Sequence, residues 1–205
     1  MSTRPKRQIF DIEGHAFFVT FSCYHRVPLL EQDRCKGIVL GNLESLSRRH
    51  RIGVVAYVVI PDHVHALLRP DTTGKLSVFL QQWKRLTSFA ISEFLQLKTN
   101  PSATPFARRI RDADGNVHVW QKRYYPFNVF TPAKALEKIE YMHNNPVKAG
   151  LVKDACDWPW SSARDFLEGK RGPVTLVPYD GPLDFDKLFG YAARPSRLDV
   201  AQRPR

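Results

Sequence analysis

Two histidines separated by one residue, His63 and His65, are the first side chains in this sequence whose spacing indicates chemistry. They follow an apolar run, 52–60, and a Pro61-Asp62 break, which together predict a buried strand, a turn and a second strand. Residues i and i+2 of a strand point to the same face, so the two imidazoles can chelate one divalent cation. We expect Asp62 to point to the other face. The alternative is two partly exposed histidines at the start of a strand, because a His-x-His pattern alone is a weak signal.

A tyrosine and an asparagine lie four residues apart on a helix that the pattern predicts from Pro132 to about Asn145. Tyr141 and Asn145 therefore share one face of that helix, away from its apolar stripe. The stripe consists of Ala135, Leu136, Ile139 and Met142. The alternative is a surface tyrosine and an asparagine that ends the helix before a proline.

These residue types suit phosphodiester chemistry. A tyrosine oxygen can attack a phosphodiester and hold the phosphate covalently. A metal bound by two histidines needs a third ligand and open positions for substrate. The amide oxygen of Asn145 is a hard ligand that would complete a His-His-Asn set around Mg²⁺ or Mn²⁺. The other histidines have no spacing that ties them to the pair.

Basic and aromatic residues elsewhere in the chain could contact DNA. The candidates for phosphate contacts are Lys84, Arg85, Lys122 and Arg123, and their alternative is a solvated surface. Tyr124 and Tyr125 could stack on bases or compete with Tyr141 as nucleophile, and one of them could instead pack under the sheet. We rank Tyr141 first because of its neighbour Asn145.

The composition favours a polyanionic partner. The chain has 31 Lys and Arg against 20 Asp and Glu, a formal net charge of +11, which suits phosphate binding through counterion release. A basic protein with no nucleic-acid role is the alternative. The three scattered cysteines support neither a zinc knuckle nor a disulfide framework, and no stretch is long and apolar enough for a membrane span. We therefore expect a cytoplasmic protein without membrane contact.

The periodicity predicts an α+β sandwich, a sheet covered by helices. The predicted strands are 15–24, 52–60, 63–68 and 117–120, and the predicted helices are 33–49, 76–97 and 132–145, with a further short helix at 159–164. We expect a basic N-terminal arm at 1–14, a catalytic domain at 15–170 and a flexible C-terminal tail at 171–205.

Four segments resemble the IS200-like single-tyrosine transposases, most closely the REP-associated branch. The segments are YVVIPDHVHALL, VWQKRYYPFNVF, YMHNNPVKAGLV and DWPWSSA, and the likeness covers roughly 17–166. Their order and separations make the resemblance specific. One departure is Pro126-Phe127, where relatives often carry Asp-His or Glu-His after the aromatic pair.

The resemblance implies a ferredoxin-like antiparallel sheet packed with helices. It also implies that the histidine-hydrophobe-histidine motif falls on 63–65, the nucleophile on Tyr141 and the third metal ligand on Asn145. Such enzymes cut single-stranded DNA near short hairpins, form a 5′-phosphotyrosine link and leave a free 3′-OH. Insertion-sequence members act as dimers and REP-associated ones as monomers, so we expect a monomer rather than a homodimer.

Three hypotheses follow. The first is a metal-dependent transposase-type enzyme acting on hairpin-bearing single-stranded DNA. The second is a non-catalytic, basic nucleic-acid-binding protein on the same fold. The third is a metal-dependent phosphodiesterase that uses activated water and forms no covalent link.

Overall fold

The computed structural model describes residues 15–100, 102 and 104–179. The main elements within these residues are β1 (Ala16–Ser22), α1 (Asp33–His50), β2 (Ile52–Ile60), β3 (His63–Pro70), α2 (Lys75–Phe94), β4 (Tyr125–Val129), α3 (Pro132–His143), α4 (Asn145–Lys148) and α5 (Ala163–Glu168). Short 3-10 turns lie at Tyr24–Arg26 and Ala155–Asp157. None of the helices in this part of the chain has the length and apolarity to cross a membrane.

The first six elements follow the β-α-β-β-α-β order of ferredoxin-like folds. The four strands form one antiparallel sheet with the spatial order β2-β3-β1-β4. The expected antiparallel sheet packed with helices is therefore confirmed. Because β2 and β3 are joined by the tight turn at Pro61 and Asp62, the apolar run and the histidine pair lie side by side in the sheet.

One face of the sheet is covered by α1 and α2. Alternate side chains of β1, among them Phe17, Val19 and Phe21, join Val64 of β3 and Trp83 of α2 in the larger apolar cluster. The Trp83 indole donates to the carbonyl of Val39 at 3.0 Å, so the N–H group of this buried ring has a hydrogen-bond acceptor.

The opposite face is covered by α3. A smaller apolar cluster there combines Phe18 of β1, Val58 of β2 and Leu67 of β3 with Ile139 and Met142 of α3. Ala135 belongs to the same cluster and Leu136 is half-buried, so the predicted apolar stripe does face the sheet. The histidine pair lies on this face, because Val64 between them points into the first cluster.

The fourth strand differs from the predicted one. Instead of 117–120, the strand is β4, in which Pro126 pairs with Val19 of β1. Proline lacks a backbone N–H and weakens the sequence signal, but an edge strand tolerates it. Trp120 is buried against Phe21, and its backbone pairs with the sheet only through an isolated bridge to Cys23.

The C-terminal elements also differ from the predicted boundaries. The helix expected to reach Asn145 ends at His143, and Asn145 begins α4 after a turn at Asn144. The short helix expected at 159–164 begins later, because α5 spans Ala163–Glu168 and shares only 163 and 164 with the prediction. Residues 171–179 of the expected tail run beside β2, where the Val177 N–H donates to the Val54 carbonyl at 2.9 Å. The expected arm at 1–14 and the tail at 180–205 lie outside the described residues.

Candidate active site

The imidazoles of His63 and His65 converge on one point. Their Nε2 atoms are 3.0 Å apart, and the two residues are only 7% and 4% exposed. Both side chains lie on the α3 face of β3, as the strand alternation predicts. The structure therefore favours the paired arrangement over two independent surface histidines.

The other ring nitrogen of each histidine is held by a neighbour. The Nδ1 atom of His63 is 2.6 Å from Oδ1 of Asp62, and the Nδ1 atom of His65 is 2.7 Å from Oγ1 of Thr20. A metal-bound histidine characteristically uses its second nitrogen in this way, because the contact fixes the ring orientation and the tautomer. Thr20 lies on β1 directly opposite His65, so sheet pairing provides one of these contacts.

The expectation that Asp62 points away from the pair is wrong. Asp62 belongs to the turn before β3, where strand alternation does not apply, and its carboxylate also pairs with Arg26 at 2.9 Å. Burial acts to raise the pKa of Asp62, but the hydrogen bond and charge of His63 and the charge of Arg26 outweigh it, so the net pKa is lowered. The ionised carboxylate can only accept, so Nδ1 of His63 is the donor, and in the neutral tautomer with this proton the lone pair lies on Nε2.

His65 is neutral at physiological pH. Burial, with the charges of His63 and Arg26 adding to it, lowers the pKa of His65 to about 3. Its ring stacks on Phe18 with a centroid distance of 5.2 Å. With Nδ1–H donating to Thr20 in His65 and to Asp62 in neutral His63, both Nε2 atoms carry lone pairs, which repel each other unless a proton or a cation lies between them.

The pair fits a divalent cation. Two neighbouring ligands of an octahedral ion, each at about 2.1 Å from the metal, lie about 3 Å apart, which matches the separation of the two Nε2 atoms. No group of three His, Cys, Asp or Glu side chains in the described part of the chain could hold a metal ion. A third protein ligand here has to be of another type, such as the predicted amide of Asn145.

Tyr141 lies beside the histidine pair. The residue is 43% exposed, and its ring meets that of His65 edge-on, with a centroid distance of 5.5 Å. The ring also meets Phe18 edge-on at 6.1 Å. Asn145 is half-buried one turn further along, and its amide nitrogen is 3.5 Å from the Tyr141 carbonyl. The structure thus brings the two histidines and the tyrosine together, with the asparagine next to the tyrosine.

The end of α3 is fixed by a residue that sequence reasoning did not select. His143 is 2% exposed, and its Nε2 atom is 2.9 Å from the hydroxyl of Ser162. That hydroxyl also accepts from the backbone N–H of Tyr57 in β2 at 2.9 Å. Burial lowers the pKa of His143 to about 3, so the bridge is between neutral groups. Two residues after Tyr141, His143 links the helix to the sheet.

The predicted DNA-contacting residues divide into two groups. The ammonium of Lys84 donates to the carbonyls of Gln121 and Lys122, at 2.6 and 3.0 Å, and burial lowers its pKa. Lys84 therefore positions a loop, and a phosphate contact would compete with these hydrogen bonds. Tyr124 is half-buried against the larger cluster, which is the packing alternative for one of the two tyrosines.

The remaining members of that set are accessible. Arg85, Lys122 and Arg123 are exposed, and Tyr125 is 54% exposed. Tyr125 pairs with Thr20, which in turn pairs with His65, so these three side chains form one row across the α3 face. An aromatic ring and several cations thus border the site without forming part of it.

An antiparallel sheet that presents paired histidines to a tyrosine-bearing helix is the arrangement expected of a DNA-processing tyrosine transposase. A family model described as "Transposase IS200 like" matches residues 11–145, which is most of the chain. The chain therefore belongs to the IS200-like transposase family, a family of DNA-processing enzymes.

Individual relatives agree with this assignment. A REP-associated tyrosine transposase of Escherichia coli K12 is 25% identical over 160 residues, covering 77% of this chain and 82% of the relative. A Haemophilus influenzae protein, also named among REP-associated tyrosine transposases, is 26% identical over 110 residues, covering 53% of this chain and 57% of its own length. The chain thus spans little more than half of that second relative.

A solved structure supports the fold. A REP-associated tyrosine transposase bound to a REP hairpin matches with a TM-score of 0.61 at 21% identity, covering 86% of this chain and 93% of that one. The match therefore supports the ferredoxin-like fold described above.

Proposed function

We propose that this protein is a metal-dependent single-strand DNA transesterase that cuts hairpin-bearing DNA through a 5′-phosphotyrosine intermediate. The observation that carries the proposal is the position of Tyr141, whose ring lies 5.5 Å from that of His65, on the side of the sheet where the two Nε2 atoms converge. A nucleophile and a divalent-cation site can therefore act on the same phosphate.

The residues have distinct tasks in this reaction. The Tyr141 oxygen forms a bond to phosphorus as the bond from phosphorus to the 3′-oxygen breaks, the phenol proton leaves to solvent, and the 3′-oxygen becomes a hydroxyl. The divalent cation, when bound, withdraws charge from the scissile phosphate and stabilises the charge that develops there. Asp62 and Thr20 orient the imidazoles, while the bridge from His143 to Ser162 holds the nucleophile's helix against the sheet.

We propose Mg²⁺ or Mn²⁺ as the cation and Asn145 as the third protein ligand. Asn145 follows Tyr141 by one turn and has a hard oxygen donor in its amide. Asn145→Ala should weaken metal-dependent cleavage, whereas Asn144→Ala, at its exposed neighbour, should not. Equal effects of the two substitutions would contradict the role of Asn145.

The substrate class follows from the charge and the relatives. The net charge of +11 and the exposed cations Arg85, Lys122 and Arg123 favour a phosphate backbone, and Tyr125 offers a stacking surface beside the site. A structural relative was solved with a REP hairpin bound. We therefore propose single-stranded DNA carrying a hairpin as the substrate.

We propose that a monomer suffices for the reaction. His63, His65 and Tyr141 come together within one chain, with centroid distances of 4.6 Å between the histidines and 5.5 Å from His65 to Tyr141. Sedimentation of the active protein with and without DNA tests this, and activity confined to a dimer would contradict it.

The decisive experiment is covalent capture. Labelled hairpin oligonucleotides are incubated with the protein and Mn²⁺, and an SDS-resistant protein–DNA band is expected. Tyr141→Phe should abolish the band, while the matched control Tyr125→Phe, also an exposed tyrosine on this face, should retain it. Cleavage without a band would indicate the water-activating phosphodiesterase, and binding without cleavage the non-catalytic binder.

A further inference from the structure

The ring of Tyr141 is flanked by two ammonium groups that the proposed reaction has not used. The Nζ atom of Lys148 is 5.4 Å from the ring centroid, and that of Lys138 is 6.0 Å away. Lys138 lies one turn before the tyrosine on α3, whereas Lys148 belongs to α4, after the turn at Asn144. Two separate helices therefore bring positive charge to the same side chain.

Lys138 is fixed in place by aromatic contacts. Its ammonium lies over the rings of Phe127 and Phe18, at 5.1 and 5.6 Å from their centroids. The side chain is 21% exposed, so its stem packs on apolar surface while its charge reaches the site. A long side chain held in this way loses little further freedom when it meets an anion.

Carboxylates near the two lysines balance their charge only in part. Glu137 pairs with Lys138 at 3.0 Å but is shared with Lys134. Lys148 is exposed and has no carboxylate partner among the residues that the structure describes. The nucleophile's side of the site thus has an excess of positive charge, and an anion next to Tyr141 would complement it.

We propose that Lys138 and Lys148 form a cationic clamp on the phosphodiester that becomes joined to Tyr141, an inference that rests on the proposed function. The phosphodiester carries one negative charge before and after the transfer, because one bond from phosphorus to oxygen replaces another. In the transition state, negative charge also develops on the attacking and leaving oxygens. Cations beside the phenol interact more strongly with that state than with bound DNA, so the clamp should act on rate more than on affinity.

The test compares three lysine-to-methionine variants that keep the length of the side chain and remove its charge. Lys138→Met and Lys148→Met remove the clamp, and Lys134→Met is the matched control. Lys134 lies two turns before Tyr141 on α3, about 10 Å along the axis, and removing it changes the net charge equally. For each variant, single-turnover adduct formation is measured at saturating hairpin DNA, and DNA affinity is measured by fluorescence anisotropy in EDTA.

We expect each clamp variant to slow adduct formation by about tenfold or more, and the double variant by about 100-fold. The expected effect is smaller than the roughly 100- to 1,000-fold loss for a buried oxyanion-hole donor, because Lys148 is exposed and its charge is screened. The Kd for DNA should change no more than in Lys134→Met. Lys138→Arg and Lys148→Arg should restore most of the rate, which a purely structural role would not predict. Because Lys148 is exposed, its substitution leaves the fold intact and carries the test even if Lys138→Met is unstable.

The results separate this inference from the proposed function. If the wild-type protein forms no adduct, the proposed function fails and the clamp fails with it. If the wild-type protein reacts, and the two clamp variants react as fast as Lys134→Met, the clamp is overturned while the function stands. A loss of affinity with an unchanged rate at saturation also overturns it.

Discussion

Two phenylalanines of β1 lie three residues apart and face opposite sides of the sheet. Phe21 packs edge-on against Trp83 and Trp120, at centroid distances of 4.9 and 4.8 Å, within the apolar cluster under α1 and α2. Phe18 stacks on His65 at 5.2 Å and meets Tyr141 at 6.1 Å. One side of the strand therefore supports a hydrocarbon core, and the other supports the candidate active site.

The contrast comes from the alternation of side chains along the strands. On β3, Val64 contributes to the core under α1 and α2, and its neighbours His63 and His65 point to the face under α3. The ferredoxin-like order places α1 and α2 on one face and leaves the other for additional elements. The larger apolar core and the candidate active site thus lie on opposite faces of one sheet, so substitutions on the two faces should have different consequences.

The largest effect on stability should come from the core face. Trp83→Ala removes a fully buried ring that packs on Phe21 and bonds to Val39, so we expect the free energy of unfolding to fall by about 3–5 kcal/mol. Denaturant titration measures this. The fraction that remains folded should still form the covalent adduct at the wild-type rate. A slower reaction in that fraction would contradict the view that the core face and the candidate site act independently.

The converse effect is expected on the α3 face. His63→Ala should reduce adduct formation by more than about 100-fold, because even the loss of a residue that only supports a metal ligand costs 10–100-fold. EDTA should have the same effect on the wild-type protein. The melting temperature should change little, and His118→Ala, at a histidine that pairs with Asp112 outside the site, serves as the control. Full activity in EDTA would contradict the cation site.

A smaller effect should follow from changing the contact behind His63. Asp62→Asn keeps the shape of the side chain but removes the charged acceptor at 2.6 Å from Nδ1. We expect the Mn²⁺ concentration for half-maximal adduct formation to rise by about 10- to 100-fold, with the rate at saturating metal largely retained. Asp71→Asn, at an exposed aspartate paired with Lys75, should leave the metal dependence unchanged.

The smallest effect concerns acid stability. Burial lowers the pKa of His143 to about 3, whereas a histidine in an unfolded chain has a pKa of about 6.5. Between these values the unfolded chain binds a proton that the folded chain does not, so stability should fall as the pH drops from about 6.5 towards 3. Melting temperatures at pH 7 and pH 4.5 test this. His143→Gln, which keeps a donor near Ser162 but cannot be protonated, should show a shallower decline, and an equal decline would contradict this assignment.

The sequence predicted the elements that have a continuous local signal. The apolar run of β2, its turn and the histidine pair of β3 were located correctly, as was the stripe that places α3 on the sheet. The strand β4 was missed because Pro126 interrupts its pattern. A contact between distant parts of the chain leaves no periodic pattern in the sequence. The contact of His143 with Ser162 therefore could not be predicted from the sequence, and neither could the orientation of Asp62 in its turn.

The contact between His143 and the hydroxyl of Ser162 limits which parts of the coding sequence can be exchanged without affecting the site. The family match ends at residue 145 and includes His63, His65, Tyr141 and Asn145, yet Ser162, which anchors the helix that carries Tyr141, lies beyond that limit. A recombination event that exchanged the segment after residue 150 would leave all the reacting atoms unaltered and still disturb the reaction. Under the proposed function, the segment that must be inherited in one piece therefore extends through Ser162, the N-cap residue of α5.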